Sequence, residues 1–376
     1  MNLAIAGMGW VTPLGCGVDL VWKRLLGAEE AIAEKLPGPF ANRPYLVFRV
    51  PDSALSALPT SPRLRRVSAI SRFAVAAGLE ALKTAGLTIH SNNAQQIALI
   101  FAISNGGVVY TRRFYSDIVA SGAQAASPLL FPETVFNAPA SHLAALLGTT
   151  GATYTIVGDG AVGLLAMRMA EDVMKNEELN YCLVVAAEEV DWLLCDAYRQ
   201  WRLLRSAPPV EPFRVPPRGM ILSEGAGAIL LGRDGSVKLD QTHPGGDYSK
   251  RGAAAEALKV ILAELASGDT DLIVCSANGT FVDQAEAQAI SQLRLDGTIY
   301  TVKPALGESV GASGVWQVMV AAQALRTGEL PPLLHGPAQM PFGLERASRV
   351  GGGRCALVIN CGLNQQVAGL RLANRP

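Results

Sequence analysis

The sequence predicts an α/β fold, because short apolar runs with strand character alternate along the chain with stretches of helical periodicity. The composition supports a large buried core: hydrophobic residues make up 49% of the 376 residues, and charged residues only 17%. The same apolar excess also suits a surface that a partner protein covers. The chain is long enough for one large domain or two coupled ones.

Eight short apolar runs predict strands, in chain order at residues 3–6, 97–103, 153–157, 181–186, 226–231, 272–275, 299–302 and 356–360. Five periodic stretches predict helices, at residues 72–85, 162–174, 253–264, 283–293 and 315–325. The first of these helices starts near Ser71 and ends before Gly86, which are suitable start and stop residues.

A polar, glycine-containing stretch between Gly232 and Asp247 predicts an exposed connection between two halves, residues 1–235 and 236–376. Residues 153–167 and 299–315 both read as a strand, a glycine-containing turn and a helix. This weak similarity between the halves is compatible with an internal duplication.

The charge balance argues against a nucleic-acid partner, because Lys+Arg and Asp+Glu both number 32 and no basic excess is present. Zero net charge gives little protection against association, which favours an obligate protein partner. Six scattered cysteines without metal-ligand spacing indicate a reduced, cytoplasmic protein, and four dispersed histidines suggest no metal site. We expect no signal peptide, because the first apolar run leads directly into a glycine turn, and no apolar segment long enough to span a membrane.

The stretch 154–167 is the most informative motif, since it reads as a buried strand, a tight glycine turn and a helix. The residue after the turn lies at a helix N-terminus, where backbone N–H groups and the helix dipole stabilise a thiolate or an oxyanion. The sequence has Gly160 at this place, so the scaffold for nucleophilic catalysis is present and the nucleophile is absent.

Several segments resemble, in the same order, motifs of the β-ketoacyl-acyl-carrier-protein synthases. They are residues 5–15 with 21–27, 71–87, the elbow at 155–170, the Gly-Glu-Gly-Ala-Gly-like turn at 219–227, the His-Gly-Thr-like motif at 277–290, and the Lys-Ser-…-Gly-His-like segment at 303–314. The resemblance covers nearly the whole chain. It implies the thiolase-like fold, a five-layered αβαβα arrangement of two similar halves that is usually dimeric, and no cofactor is expected.

The departures from the family pattern concern its catalytic residues. Active members use one cysteine and two histidines, and the matching positions here are Gly160, Asn278 and Glu308. A shift of one residue would place Asp159 at the cysteine position, which also supplies no soft nucleophile. An ionised Glu308 only accepts hydrogen bonds, and its charge opposes a developing enolate. The resemblance therefore implies a catalytically silent member.

Further residues are expected near the vestigial site. Lys303 with Glu308 and Glu224 would form either a rewired acid–base site or, as we favour, a buried ion pair to one of the two glutamates. The loop 349–355 resembles the family's Gly-Phe-Gly-Gly-Thr-Asn segment, with glycine in place of the gatekeeping phenylalanine, so Gly352 is also counted as a neighbour.

Two candidate contact surfaces follow from the resemblance. The cluster Arg63, Arg65 and Arg66 would dock an acidic acyl carrier protein, although a solvated charged face is the simpler interpretation; Arg112, Arg113, Arg202 and Arg205 are weaker candidates. The strand formed by Thr153, Tyr154, Thr155, Ile156 and Val157 would pair with its equivalent in a partner subunit, covering an otherwise exposed edge.

Three functional hypotheses remain open on the sequence. The first is a non-catalytic, chain-length-factor-like subunit that pairs with an active ketosynthase and limits the acyl tunnel in polyketide, aryl-polyene or fatty-acid-type synthesis. The second is an enzyme of altered chemistry, with Glu308 or Asp159 as base in hydrolysis, decarboxylation or acyl transfer. The third is a homodimer that binds an acyl ligand without turnover.

Overall fold

The computed structural model describes residues 3–39, 43–56, 58–266, 270–340 and 353–374. The strands are β1 (Leu3–Thr12), β2 (Gly15–Cys16), β3 (Glu34–Leu36), β4 (Tyr45–Phe48), β5 (Ile97–Ile103), β6 (Thr153–Val157), β7 (Tyr181–Glu188), β8 (Leu222–Ser223), β9 (Gly225–Gly232), β10 (Val237–Thr242), β11 (Gly246–Asp247), β12 (Leu272–Val274), β13 (Thr298–Tyr300), β14 (Cys355–Cys361) and β15 (Gln366–Asn374). The helices are α1 (Val18–Leu26), α2 (Ala69–Thr84), α3 (Val108–Ser121), α4 (Ala138–Leu147), α5 (Val162–Val173), α6 (Trp192–Gln200), α7 (Ala254–Leu265), α8 (Phe281–Gln292), α9 (Lys303–Leu306) and α10 (Val310–Thr327).

The main sheet has the strand order β13-β12-β14-β15-β10-β1-β9-β7-β5-β6, and its two ends repeat one pattern. At one end β6, β5 and β7 run parallel, and β9 and β1 follow as antiparallel neighbours. At the other end β13, β12 and β14 run parallel, and β15 and β10 follow in the same way. The antiparallel pair β1–β10 joins the two ends.

Helices complete five layers. Helices α2 and α4 cover one outer face, α5 and α10 pack between the two ends of the sheet, and α7 and α8 cover the other outer face. Residues 310–325 of α10 are all buried, as expected for a helix enclosed on every side. This αβαβα arrangement confirms the predicted fold class.

Glycines allow the two central helices to cross closely. A Cβ atom on Gly163 of α5 would lie 3.0 Å from the backbone nitrogen of Val315, and one on Gly314 of α10 would lie 3.2 Å from that of Leu164. The helices therefore meet backbone to backbone, where side chains would force them apart. The close crossing brings the N-terminal ends of α5 and α10 to one region of the molecule.

All eight predicted strands and all five predicted helices are present, with ends that differ by a few residues except in β1 and α10. Strand β1 continues to Thr12, through glycines that let helix α2 approach its backbone. Helix α10 starts five residues before the prediction, at a glycine-rich stretch that packs on α5. Strands β10 and β15, the short strands β2, β3, β4, β8 and β11, and helices α1, α3, α4, α6 and α9 are not in the prediction.

Candidate functional site

The site lies where three chain segments meet at the ends of the central helices. The first is the turn between β6 and α5, which places Gly160 two residues before the first residue of α5. The second is the loop of residues 275–280 between β12 and α8, which carries Asn278. The third is the connection through α9 to α10, which carries Lys303 and Glu308.

Gly160 is buried, and a small side chain has room at this position. A Cβ atom there would lie 3.4 Å from Asn360 Oδ1 and 3.4 Å from the Cα of Gly362, which are ordinary contact distances. Asn360 is 1% exposed, and its Nδ2 donates to Gln317 Oε1 at 2.7 Å. Its Oδ1 has no hydrogen-bond partner among the described residues. The place of the missing nucleophile thus borders an unsatisfied acceptor.

Asn278, Lys303 and Glu308 form one buried cluster with Ser313, and we call these four residues the buried quartet. Glu308 Oε2 accepts hydrogen bonds from Asn278 Nδ2 at 2.7 Å and Lys303 Nζ at 2.5 Å, while Oε1 accepts one from Ser313 Oγ at 2.7 Å. Each of the four residues is at most 3% exposed. Three donors, one of them a cation, satisfy the carboxylate and hold it in place.

The orientation of Asn278 is fixed by its own loop. Its Oδ1 accepts hydrogen bonds from the backbone N–H of Thr280 at 3.2 Å and from Thr280 Oγ1 at 2.7 Å, so Nδ2 points to Glu308. Its backbone N–H donates to Asp283 Oδ1 at 2.8 Å, and Phe213 N–H donates to Asp283 Oδ2 at 2.6 Å. Burial raises the pKa of Asp283 to about 6, although these hydrogen bonds act to lower it.

Lys303 makes the expected buried ion pair, and its partner is Glu308. Glu224, the other expected partner, lies 3.5 Å from Arg49 and accepts a hydrogen bond from the Val50 backbone N–H at 3.1 Å. Burial raises the pKa of Glu224, while Arg49 acts to lower it. Of the two alternative partners, Lys303 therefore pairs with Glu308, and Glu224 pairs with Arg49 instead.

Of the loop 349–355 the structure describes only residues 353–355, and the described neighbours of a Cβ on Gly160 are Asn360 and Gly362. Gly352 lies outside the described residues, and Arg354 precedes β14, where its N–H donates to Asp271 Oδ2 at 2.8 Å. The segment that reaches Gly160 is the turn at the other end of β14, residues 362–365. No local pattern in the sequence marks this turn, which reaches the site because β14 runs parallel to β12.

Asp159 joins the elbow to that turn. Its Oδ1 accepts from the Ala161 N–H at 3.1 Å, and its Oδ2 accepts from the backbone N–H groups of Asn364 at 3.0 Å and Gln366 at 3.3 Å. Gln366 Oε1 in turn accepts from the Asp159 N–H at 3.0 Å. Burial raises the pKa of Asp159 to about 6; the backbone hydrogen bonds lower it, and the charge of Glu308 raises it further.

A cavity of about 430 Å³ opens beside the elbow. Polar and aromatic side chains dominate its lining, which includes Asn105, Asp159, Tyr198, Trp201 and Gln366. Asp159 is thus the carboxylate of the elbow that meets this cavity, whereas Glu308 is only 3% exposed. The cavity can hold a polar ligand next to the vestigial site.

Strand β6 lies at one edge of the main sheet, which is the position that the predicted pairing with a partner subunit needs. All five of its residues are at least partly exposed, with Tyr154 at 42% and Val157 at 49%. Helix α4 packs against β6 and against the short 3-10 turn Phe131–Thr134, which packs in turn on α3. Exposed apolar side chains continue across this surface, at Tyr115, Val119, Phe131, Val135 and Phe136. The face is large and apolar for a surface without a partner.

The three predicted docking arginines lie around the 3-10 turn Pro62–Leu64, before helix α2. Arg63, Arg65 and Arg66 are all exposed, and none forms an ion pair with a described residue. In the part of the chain that the structure describes, no helix has both the length and the apolar character that crossing a membrane requires.

Comparison with known proteins gives the family. Residues 2–235 match the model of the β-ketoacyl synthase N-terminal domain, and residues 231–336 match that of the C-terminal domain. The chain belongs to the β-ketoacyl synthase family. The segments that carry Gly160, Asn278 and Glu308 lie within the two matched domains.

The relatives span different named functions. Nodulation protein E of Rhizobium leguminosarum bv. trifolii is 23% identical over 364 residues, which cover 88% of this chain and 88% of the relative. The 3-oxoacyl-[acyl-carrier-protein] synthase 2 of Mycobacterium tuberculosis (strain ATCC 25618 / H37Rv) is 25% identical over 369 residues, covering 89% of this chain and 87% of the relative.

Solved structures show the same ketosynthase fold. The ishigamide ketosynthase/chain length factor has a TM-score of 0.84 at 20% identity and covers 100% of this chain and 99% of its own. A structure of a type II polyketide synthase acyl-carrier protein in complex with its ketosynthase has a TM-score of 0.84 at 15% identity. The match covers 100% of this chain and 99% of the matched chain. At these identities the likeness concerns the fold.

The two glycines of the site respond differently to an added methyl group. We expect Gly160→Ala to change the free energy of unfolding by less than about 1 kcal/mol, because the new Cβ makes ordinary contacts. We expect Gly362→Ala to cost about 1–3 kcal/mol, because its Cβ would lie 2.2 Å from both Asp159 carboxylate oxygens. Urea unfolding measures both, and equal costs would contradict this description of the site.

The raised pKa of Asp159 predicts a pH dependence of stability. The folded chain holds this proton more tightly than the unfolded chain, so the contribution is complete below about pH 4 and is lost as the pH rises through about 6. Relative to Asp159→Asn, the unmodified chain should lose about 2–3 kcal/mol of unfolding free energy over that window. A urea series at several pH values measures the unfolding free energy of both chains, and a rise in that of the unmodified chain relative to Asp159→Asn between about pH 4 and 6 would refute the prediction.

Proposed function

We propose that this chain is a non-catalytic, chain-length-factor-like subunit that pairs with an active ketosynthase and shapes the end of its acyl tunnel. The observation that carries the proposal is the buried quartet beside Gly160. A condensing site needs a nucleophile and donors toward an enolate, whereas here the donors of Asn278, Lys303 and Ser313 are directed to the carboxylate of Glu308.

The charges of the buried quartet argue against a condensing reaction at this site. Lys303 could stabilise a developing negative charge, but its ammonium group already contacts Glu308 Oε2. The place of the second family histidine thus carries a paired anion, and the place of the cysteine has no side chain. No single substitution in this chain would restore the set of groups that ketosynthase chemistry uses.

The partner role rests on the exposed edge and face around β6. An unpaired edge strand that carries Tyr154 and Val157 is a ready template for pairing with another chain. The apolar face of α3 and the Phe131–Thr134 turn continues this surface, so the acyl tunnel of a partner can end against a packed wall supplied by this chain. A growing acyl chain stops where that wall stops it.

The compartment, the pathway and the carrier protein are proposed from the family to which the chain belongs. The complex would work in the cytoplasm, in polyketide, aryl-polyene or fatty-acid-type synthesis, with an acyl carrier protein that reaches this chain or its partner. Exposed Arg63, Arg65 and Arg66 are the proposed carrier-docking residues. We retain the proposed division into thiolase-like halves at residues 1–235 and 236–376, because the two ends of the sheet repeat one strand pattern.

A second candidate function is an enzyme of altered chemistry, and one observation favours Asp159 over Glu308 as its base. Asp159 lines the 430 Å³ cavity, and burial raises its pKa to about 6, within the range that general bases use. Glu308 is instead committed to Lys303, Asn278 and Ser313. Turnover of an acyl thioester by the isolated chain, lost in Asp159→Asn, would support this candidate.

Co-expression with a candidate ketosynthase tests the first proposal. The tagged chain should recover the ketosynthase in a one-to-one complex, and malonyl condensation should require both chains. Gly160→Ala in this chain should leave turnover intact, while loss of the partner's nucleophile should abolish it. A stable homodimer that turns over acyl thioesters alone would overturn the proposal.

A further inference from the structure

A large cavity lies at the other end of the main sheet from the vestigial site. Its volume is about 580 Å³, compared with about 430 Å³ for the cavity beside the elbow. Tyr181, the first residue of β7, lines it, whereas the elbow follows Val157, the last residue of β6. Because β5 runs parallel to both β6 and β7, these two residues lie at opposite ends of the sheet. We call this space the basal cavity, and its lining includes Ala6, Tyr181, Arg233, Asp234 and Arg326.

A bulge in β1 holds one of two arginines at the basal cavity. The pairing of β1 with β9 shifts register between Ile5 and Gly7, which leaves Ala6 as an extra residue. The Ile5 carbonyl accepts a hydrogen bond from Arg326 Nη2 at 2.9 Å. Arg326 lies in the last turn of α10, where the helix dipole favours a cation. One donor thus fixes its guanidinium, and the other N–H groups have no partner among the described residues.

The connection from β9 to β10 places the second arginine. Residues 233–236 cross the start of β1, since β1 lies between β9 and β10 in the sheet. A Cβ atom on Gly235 would lie 2.8 Å from the Ile5 carbonyl oxygen, so the connection rests directly on the backbone of β1. In this position Arg233 and Asp234 line the cavity. Unlike the cation in the last turn of α10, Arg233 belongs to no helix.

The charge of the basal cavity is unbalanced. Neither Arg233 nor Arg326 forms an ion pair with a described residue, and Asp234 forms none within the same part of the chain. Two cations and one anion leave an excess positive charge. The surrounding chain also desolvates the Arg326 guanidinium, which lowers its pKa from the ordinary value. Because guanidinium groups bind phosphate through paired N–H donors, a phosphate would supply both the missing charge and the missing acceptors.

The rest of the cavity suits an aromatic ring and hydroxyl groups. Tyr181 is half-buried, and a Cβ atom on Gly232 would lie 2.9 Å from its Cε1, so the ring lies over a residue without a side chain. Ala6 and Ala85 add small apolar surfaces. An aromatic side chain stacks with a base, and a carboxylate such as that of Asp234 accepts hydrogen bonds from sugar hydroxyls. A phosphate alone would fill only a small part of this volume.

We propose that the basal cavity is a binding site for a nucleoside monophosphate, whose phosphate contacts Arg233 and Arg326 while its base stacks on Tyr181. The ribose hydroxyls would then meet Asp234. The inference goes beyond the proposed function and does not depend on it, because no residue of the buried quartet or of strand β6 lines this cavity. The ligand would stabilise the folded chain, since it contacts β7, α10 and the β9–β10 connection only when they are assembled.

Titration calorimetry with three matched ligands tests the site on the purified chain, or on its co-purified complex, at low salt. Adenosine monophosphate (AMP) should bind at least about tenfold more tightly than adenosine, which lacks the phosphate, and than ribose 5-phosphate, which lacks the base. The variant Arg233→Gln/Arg326→Gln should remove the preference for AMP over adenosine. The control Arg63→Gln/Arg65→Gln removes the same charge from exposed residues elsewhere and should keep that preference.

Two single variants separate binding from folding. The urea midpoint without ligand shows whether the double arginine variant is folded. If it is not, Arg233→Gln alone changes an exposed residue of the connection and should weaken AMP binding at least about fivefold. Tyr181→Leu keeps an apolar side chain over Gly232, and it should weaken AMP binding while leaving the affinity for ribose 5-phosphate unchanged.

Three results would overturn the site. They are equal affinity for AMP and adenosine, an undiminished preference for AMP in the folded arginine variants, and binding of ribose 5-phosphate as tight as that of AMP. The last result would show a general phosphate site without recognition of a base. None of these measurements uses ketosynthase activity or a partner chain, so this inference and the silent-subunit role can each fail while the other holds.

Discussion

Replacing Lys303 with methionine will lower the free energy of unfolding by about 3–5 kcal/mol, because it leaves the Glu308 carboxylate buried without its cation. Glu308 is 3% exposed and cannot recover hydration without local unfolding. Urea unfolding at pH 7 measures the loss. The size of the effect follows from burial, since the same change at the surface removes a weak interaction.

Two further variants make the Lys303 prediction specific. Lys175→Met breaks an exposed ion pair, 2.6 Å from Asp172, and should cost less than about 1 kcal/mol. The double variant Lys303→Met/Glu308→Gln should recover most of the stability, because the neutral amide can accept from Asn278 through its oxygen and donate to the Ser313 hydroxyl through its nitrogen. If Lys303→Met loses no more unfolding free energy than Lys175→Met, then Lys303 and Glu308 do not form the buried ion pair described here.

Placing a carboxylate on the free edge of the sheet will break the complex with the ketosynthase partner. Val157→Asp puts a charge on the exposed strand β6, where pairing would bury it in an apolar interface, and we expect affinity to fall at least about 100-fold. The chain itself should remain folded, because Val157 is 49% exposed. Size-exclusion chromatography of the co-expressed chains, with light scattering to give the mass of each peak, measures complex formation.

The control for this variant is Val260→Asp on helix α7, where the side chain is 51% exposed and lies away from β6. This substitution adds the same charge to a similar apolar side chain and should leave the complex intact. If both variants keep the complex, or both lose it, the partner does not bind along β6.

The sequence predicted the parts of the site that are continuous in the chain. The elbow at Gly160, the loop at Asn278 and the segment from Lys303 to Glu308 are each one short motif on a strand end or a helix start, so the elements and the residues could be identified together. The choice of Glu308 over Glu224 as the partner of Lys303 depended on tertiary packing, which residue spacing does not specify.

Other features depend on contacts between distant segments. The turn 362–365 reaches Gly160 only because β14 runs parallel to β12, and no local pattern distinguishes it from the glycine-rich stretch before β14. The convergence of Arg205, Arg214 and Arg218 on Glu211 likewise needs a folded loop. Helix α3 escaped prediction because only two of its residues, Val108 and Phe114, are buried, which leaves a weak apolar periodicity.

The most direct test of catalytic silence is to find where an acyl group attaches. The purified complex is incubated with an acyl thioester, and each chain is examined by intact mass spectrometry. We expect an acyl adduct on the partner ketosynthase alone. Gly160 offers no nucleophile, and burial raises the pKa of the Cys16 thiol to about 11 and also raises those of Cys275 and Cys361, so these thiols stay protonated. A stoichiometric acyl adduct on this chain would contradict the account.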